Sequence, residues 1–266
     1  MKNLPLHDNT YATEKKTLSF PAATFPSLYF YLRLIATVTR SARLAQKGQY
    51  GEDEWGSSSL EVLEILERMG VDIRVSGMDH IRNTDHGPCV IIGNHMSFLE
   101  TLLLPGLILP KSLTFVIKQS LLEYPVFKHV MRSSNPIAVS RVNPRQDLKT
   151  VLEEGVKRLE DGVSVVVFPQ STRSHNFEPA QMGSIGVKLA KRANVPVLPM
   201  ALKTDALQNG RIIKDFGAIN RDLPVRIAFA APFAVTGKGN EEMDIVNEFI
   251  GKKLLEWGQE ILVRQR

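Results

Sequence analysis

Four short stretches of this chain carry side chains able to move a proton or hold an anion. The first is Asn94-His95-Met96-Ser97-Phe98-Leu99-Glu100, a histidine just after an apolar run with a carboxylate five residues on. A carboxylate bonded to one imidazole nitrogen fixes the tautomer. It also stabilises the imidazolium formed when the other nitrogen takes a proton, so the pair can act as a general base. Ser97-x-x-Glu100 is at the same time a capping box. A carboxylate has about four acceptor sites, so it can cap a helix and orient a histidine together.

The second stretch, Ile137-Ala138-Val139-Ser140-Arg141, ends an apolar run in a guanidinium, whose planar fork suits a phosphate or a solvated surface. The third, Val167-Phe168-Pro169-Gln170-Ser171-Thr172-Arg173-Ser174, turns from apolar residues into hydroxyls, an amide and a second guanidinium. That is the composition of an anion pocket or of a polar turn. The fourth, Val195-Pro196-Val197-Leu198-Pro199-Met200-Ala201, sets two prolines about a short apolar strand. Proline is poorly tolerated in central strands, so the reading is an edge, a bend or an apolar wall.

The elements that must position these residues follow from periodicity. Apolar runs at 71–75, 90–93, 113–117, 137–139, 163–168, 195–201 and 225–229 read as strands. Between them 97–107, 120–131, 145–160, 182–192 and 241–263 read as helices. This alternation predicts an α/β fold with a mixed, largely parallel sheet flanked by helices. In open sheets of this kind, reactive groups gather at the carboxyl ends of the strands. An N-terminal pair of amphipathic helices is expected first, one over 25–47 and one opening at the capping box Ser58-Ser59-Leu60-Glu61 and ending at Gly70. Residues 1–20 read as poorly ordered. The organisation expected is 1–70 as an N-terminal segment and 71–266 as the α/β domain.

Of the 266 residues, 33 are Lys or Arg and 28 Asp or Glu, a net charge of +5 that favours anionic partners without choosing among them. No nucleic-acid-binding motif accompanies the charge, so nucleic acid is not expected as a partner. The single cysteine, Cys89, cannot form an internal disulfide and sits in an apolar run, where it reads as a buried small hydrophobe. His7, His80, His86, His129 and His175 have no metal-ligand spacing, and no metal is expected. The longest uncharged stretch, 17–32, contains Pro21 and Pro26, whereas a spanning helix needs ~20 mostly apolar residues. Phe25, Leu28, Tyr29, Leu32, Ile35 and Ala36 fall at helical spacing, with Arg33, Thr37, Arg40 and Lys47 on another face. Such a helix can lie in a membrane interface or pack on its own domain.

Together and in this order, the four stretches resemble the glycerolipid acyltransferase family, including 1-acyl-sn-glycerol-3-phosphate acyltransferases. That family shows Asn-His-x-x-x-x-Asp, a Gly-containing segment ending in Arg, Phe-Pro-Glu-Gly-Thr-Arg-Ser, and Val-Pro-x-x-Pro. The resemblance covers about 71–235. It implies that His95 is the general base on an acceptor hydroxyl, with Glu100 orienting it. It implies that Arg141, Arg173 and Lys118 hold the acceptor phosphate, that Gln170, Ser171 and Thr172 shape that pocket, and that Pro199 lines the acyl or donor side. It further implies a lysophospholipid acceptor, acyl-CoA or acyl carrier protein as acyl donor, no cofactor, no covalent acyl-enzyme, and a peripheral or monotopic place on the cytoplasmic face of an anionic membrane, docked through 22–50.

The chain departs from the family pattern at three points. Glu100 replaces Asp, Asn135 stands where the second stretch has Gly, and Gln170-Ser171 replaces Glu-Gly. The last change leaves the pocket more cationic. It keeps in view another lysolipid acceptor, or a catalytically weak lipid-binding protein on the same scaffold.

Overall fold

A computed structural model of the chain describes residues 4–14, 18, 20–83, 87–170, 172–210, 216–259 and 261. The central strands β3 (Val90–Gly93) and β6 (Ser164–Val167) are buried on both faces, which is why they read as unbroken apolar runs. Ile91 and Val166 point into one hydrophobic layer, and Val90, Ile92, Val165 and Val167 into the other. Around them, among the described residues, stands an eight-stranded sheet of order β1-β2-β8-β7-β3-β6-β4-β5. The other strands are β1 (Tyr11–Ala12), β2 (Ile73–Ser76), β4 (Leu113–Lys118), β5 (Ile137–Val139), β7 (Val197–Lys203) and β8 (Val225–Phe229). From β7 to β5 all neighbours run parallel, whereas β7–β8 and β1–β2 are antiparallel. The expected mixed, largely parallel sheet is therefore present.

One face carries α2 (Pro26–Gln46), α3 (Glu52–Arg68) and α5 (Leu99–Ile108); the other carries α7 (Pro144–Glu160), α8 (Ile185–Ala193) and α9 (Asn240–Glu256). Short helices α1 (Phe20–Thr24), α4 (Met78–Arg82) and α6 (Phe127–Ser133) complete the set. The N-terminal helices share the core of the sheet: Phe30 and Leu34 of α2 and Leu63 and Leu66 of α3 are buried in the same cluster as Leu103 and Leu107 of α5. The α3–α5 contact is close. A Cβ at Gly106 would lie 2.9 Å from both the Leu60 Cγ and the Ser59 Oγ. The Ser59 hydroxyl donates to the Leu103 carbonyl at 2.9 Å and accepts the Gly106 N–H at 2.8 Å, stabilising α5 where Pro105 interrupts its ladder. The segment preceding the site is thus braced against the helix that carries Glu100.

Several boundaries differ from those expected. Tyr11–Ala12 is ordered as an edge strand, and the Tyr11 hydroxyl donates to the buried Glu67. The α3 helix begins a turn and a half before Ser58, because Glu54 caps the Gly51 N–H at 3.0 Å. The helix expected over 120–131 is two pieces, a 3-10 turn Gln119–Glu123 and α6, separated at Pro125. The α9 helix stops at Glu256, where Gly258 (φ +74°) lets its own N–H and that of Gln259 close onto the Leu255 and Leu254 carbonyls. Nor is β7 an edge: Pro199 sits opposite Ile92 of β3, and its carbonyl accepts the Ala230 N–H at 3.0 Å. Proline removes one donor from that ladder and leaves the acceptor in place.

Candidate active site

Four adjacent parallel strands, β3, β6, β4 and β5, end on the same side of the sheet, and each has residues singled out above at or just past that end. His95 follows β3, Gln170–Arg173 follow β6, Lys118 closes β4 and Arg141 follows β5. His95, Lys118, Arg141, Thr172 and Arg173 line one cleft of about 420 Å³. Ser171 lies outside the described residues. Pro199 is not brought to the cleft; it is buried within β7.

The histidine turn is held from every side. Asn94 is fixed to β7 by a reciprocal pair, its Nδ2 donating to the Leu202 carbonyl at 2.7 Å and its Oδ1 accepting the Leu202 N–H at 2.8 Å. The His95 N–H donates to Gln170 Oε1 at 2.6 Å, and the His95 carbonyl accepts the Ser174 N–H at 3.0 Å. The imidazole stacks on Phe168, ring centroids 4.4 Å apart and 8° from parallel.

Glu100 is completely buried. Its Oε2 faces His95 Nδ1 in a short hydrogen bond. Its Oε1 accepts the Met96 N–H at 2.7 Å, the Ser97 N–H at 2.9 Å and the Thr204 hydroxyl at 2.6 Å. The helix cap and the bond to His95 thus coexist in one carboxylate, and the extra methylene relative to Asp is taken up by this dual reach. A carboxylate only accepts, so Nδ1 must carry the proton. In the neutral imidazole Nε2 then keeps its lone pair.

The cationic side of the cleft is organised by packing and by backbone. The Arg173 guanidinium lies over the Phe98 ring, 5.8 Å from its centroid. Arg141 is held below the ordinary arginine range by partial desolvation and then by the Arg173 charge, the signature of two guanidinia facing a common space. Asn135, where the family has Gly, keeps a left-handed backbone (φ +46°), and its amide oxygen accepts from Arg158 at 2.8 Å. Asparagine is among the few side chains that tolerate this conformation.

Phe98, Thr101, Phe115, Ile117, Phe127 and Met131 line both the cleft and a smaller apolar cavity of about 60 Å³. That cavity reaches Leu34 and Val38 of α2 and Trp55 of α3. The shared side chains thus give the cleft an apolar wall, with the smaller cavity on its far side beneath the N-terminal helices. At the mouth of the cleft Phe216 packs against Tyr31 of α2, whose hydroxyl donates to the Gly217 carbonyl at 2.6 Å.

Sequence reasoning missed Thr204, Phe168 and Phe98. Thr204 was findable, since β7 runs two residues past the expected end and places it at a strand terminus beside Glu100. The aromatic stacking has no sequence signal. Cys89 is buried, as expected, with its thiol pushed up by burial. Among the described residues, no group of three or more His, Cys, Asp or Glu is placed to hold a metal; His86 lies outside them.

Residues 72–203 match the Acyltransferase family model. A 1-acyl-sn-glycerol-3-phosphate acyltransferase of Pseudomonas aeruginosa is 35% identical over 132 residues, 50% of this chain and 49% of that protein. A chloroplastic protein of the same name from Brassica napus is 29% identical over 128 residues, 48% of this chain and 36% of its own length. The matched stretch thus spans about half or less of these curated relatives. The crystal structure of the 1-acyl-sn-glycerophosphate (LPA) acyltransferase PlsC from Thermotoga maritima superimposes with a TM-score of 0.65 at 22% identity, covering 88% of this chain and 95% of that one, and so shares the fold. The match over residues 72–203 places this chain in the acyltransferase family.

Proposed function

We propose that this chain transfers a fatty acyl group from a thioester to the free hydroxyl of 1-acyl-sn-glycerol-3-phosphate, a step of phospholipid synthesis. The observation that carries this reading is His95, bonded to the buried Glu100, lining the same cleft as Lys118, Arg141 and Arg173 and an apolar wall. The acceptor phosphate sits among the three cations, which brings its hydroxyl toward His95. The acyl chain lies against the apolar wall of the cleft, formed by Phe98, Phe115, Phe127 and Met131, rather than on the Pro199 strand.

In the reaction, His95 Nε2 takes the hydroxyl proton as the oxygen attacks the thioester carbonyl carbon. The tetrahedral species collapses with cleavage of the carbon–sulfur bond, and the leaving thiolate recovers the proton from the imidazolium. Buried Glu100 keeps Nδ1 protonated and stabilises the transient positive charge. Acyl-CoA or acyl carrier protein supplies the thioester, and no covalent acyl-enzyme forms.

The α2 helix supports a membrane-surface location. Phe25, Leu28, Leu32 and Ile35 form an outward stripe, each more than half exposed, while Phe30, Leu34 and Val38 face the core. The helix is apolar on both sides, which suits burial on one and an acyl-chain environment on the other. Among the described residues no helix is long and apolar enough to cross a membrane. The Tyr31–Phe216 contact sets this stripe beside the cleft mouth, so a lipid acceptor can enter from the surface it rests in. Because acyl thioesters are cytosolic, the face is the cytoplasmic one.

The test is direct. Purified protein is given an acyl thioester and 1-acyl-sn-glycerol-3-phosphate on vesicles, with free thiol and diacyl product followed. Loss of a positioned general base lowers the rate by about 10²–10⁴-fold, and His95→Ala should show that loss. A His95→Ala protein as fast as wild type sinks the mechanism. Equal rates on phosphate and non-phosphate lysolipids would instead move the acceptor.

A further inference from the structure

Arg141 occupies a backbone conformation that arginine disfavours. Its φ is +61°, in the left-handed region where the Cβ crowds the following carbonyl, and it has no short polar side chain of the kind that helps Asn or Asp there. Something outside the loop must hold it. The holder is Asp147, in the first turn of α7. Asp147 Oδ2 accepts the Arg141 N–H at 2.8 Å. Oδ1 accepts the Ser140 N–H at 2.9 Å and the Ser140 hydroxyl at 3.0 Å, and the Ser140 oxygen in turn accepts the Val142 N–H at 3.1 Å.

One carboxylate thus governs three consecutive residues at the end of β5. It is itself fixed, because α7 starts from an Asn143 cap on the Gln146 N–H with Pro144 at the first helical position. Burial alone would raise the Asp147 carboxyl; the bonds from Ser140 and Arg141, with the nearby Arg141 charge, outweigh it and hold the group below the usual carboxylate range.

We propose that Asp147 is a positioning residue for the acceptor: by clamping the Ser140 and Arg141 backbone it keeps Arg141 left-handed and its guanidinium in the cleft. Without the clamp, residue 141 relaxes to negative φ and the side chain departs from the direction that faces Arg173. This rests on the reading that Arg141 binds the acceptor phosphate.

The discriminating variant is Asp147→Asn. Its oxygen can stay on Ser140, but its NH2 then opposes the Arg141 N–H, so one charge-assisted bond becomes a clash of donors. The KM for 1-acyl-sn-glycerol-3-phosphate should rise about tenfold. The kcat and the thioester KM should stay within about twofold, the pattern of lost binding rather than lost chemistry. The rate on a phosphate-free 1-acylglycerol should not change. In an Arg141→Ala background the substitution should add nothing, because the two residues act through one interaction. Asp147→Glu, which keeps the charge and shifts it by a methylene, should give the same split at smaller amplitude, and carries the test if the Asn variant does not fold.

An unchanged KM in folded Asp147→Asn overturns the proposal. So does a further KM rise in the Arg141→Ala background, or a fall in kcat on every acceptor. If Arg141→Ala raises the KM and Asp147→Asn does not, this inference alone falls. If Arg141→Ala leaves the phosphate acceptor's KM unchanged, the phosphate-binding reading falls with it.

Discussion

Replacing Glu100 by Gln separates the two things Glu100 does. Its Oε1 caps the helix through Met96, Ser97 and Thr204, and its Oε2 faces His95. In the Gln variant the side-chain oxygen stays on the three donors, since turning the amide over would set its NH2 against all of them. The NH2 therefore points at His95 Nδ1 and forces Nδ1 to accept. The ring proton moves to Nε2, and the nitrogen facing the cleft can no longer take one. In a serine-protease triad the same carboxylate-to-amide change lowers kcat by about 10⁴, or roughly 5 kcal/mol of barrier, and a comparable loss is expected here. The fold should survive, because every buried donor keeps its acceptor. Glu100→Ala is the wrong perturbation: it strands three buried donors at about 1–3 kcal/mol each, a large part of a typical stability of about 5–15 kcal/mol. The assay is thiol release with parallel thermal melting. A folded Glu100→Gln protein retaining more than about a hundredth of the wild-type rate exceeds what loss of a general base allows, and would leave Glu100 a helix cap only.

Three further outcomes are expected. Arg173→Lys should raise the acceptor KM about tenfold, because an ammonium replaces the planar fork held over Phe98; an unchanged KM would remove Arg173 from the phosphate site. Leu28→Asp with Leu32→Asp should abolish sedimentation with anionic vesicles while leaving the melting temperature nearly unchanged, since both side chains are more than half exposed; retained sedimentation would refute docking through α2. Glu242 is held below the usual carboxylate range by N–H bonds, led by Gly237 and joined by Gly239 and Thr236, so it stabilises the fold above its unfolded pKa and loses that contribution as pH falls through the folded value. The melting-temperature gap between wild type and Glu242→Gln should therefore shrink on acidification, and a constant gap would refute this.

The parts legible in the sequence are those governed by a single period. β3, β5 and β8 lie where their apolar runs end, and the doubly buried β3 and β6 announce a parallel sheet. What escaped depends on partners distant in the chain. The Ser58-x-x-Glu61 box lost the start of α3 to Gly51 and Glu54, because a cap pattern inside a helix is only a pair of polar residues. Periodicity found the Phe25–Ile35 stripe but could not say that it faces outward, because Phe30 and Leu34 offer α3 and the sheet an equally apolar face. Pro199 misled for a related reason: local rules put proline at an edge, but β7 lies between β3 and the antiparallel β8, and its other groups still pair. The His95–Glu100 pair was ambiguous as a pattern, and in the structure one carboxylate both caps the helix and bonds His95 Nδ1.

The departure at Gln170 then has a definite consequence. Its Oε1 accepts the His95 N–H at 2.6 Å from a buried position. That bond needs an oxygen and no charge, so an amide can hold the histidine turn as a carboxylate would. What the amide cannot do is neutralise the guanidinia. Arg141 is held below the ordinary arginine range by desolvation first and then by the Arg173 charge, with Asp147 acting against both, and no carboxylate at 170 adds to that relief. An anion between the two guanidinia relieves their repulsion and recovers charge-assisted bonds from both. On the proposed reading, the substitution leaves the His95 turn in place and should increase the pull on a phosphate, so the ratio of rates on phosphorylated and neutral acceptors should fall in Gln170→Glu; an unchanged ratio would refute this.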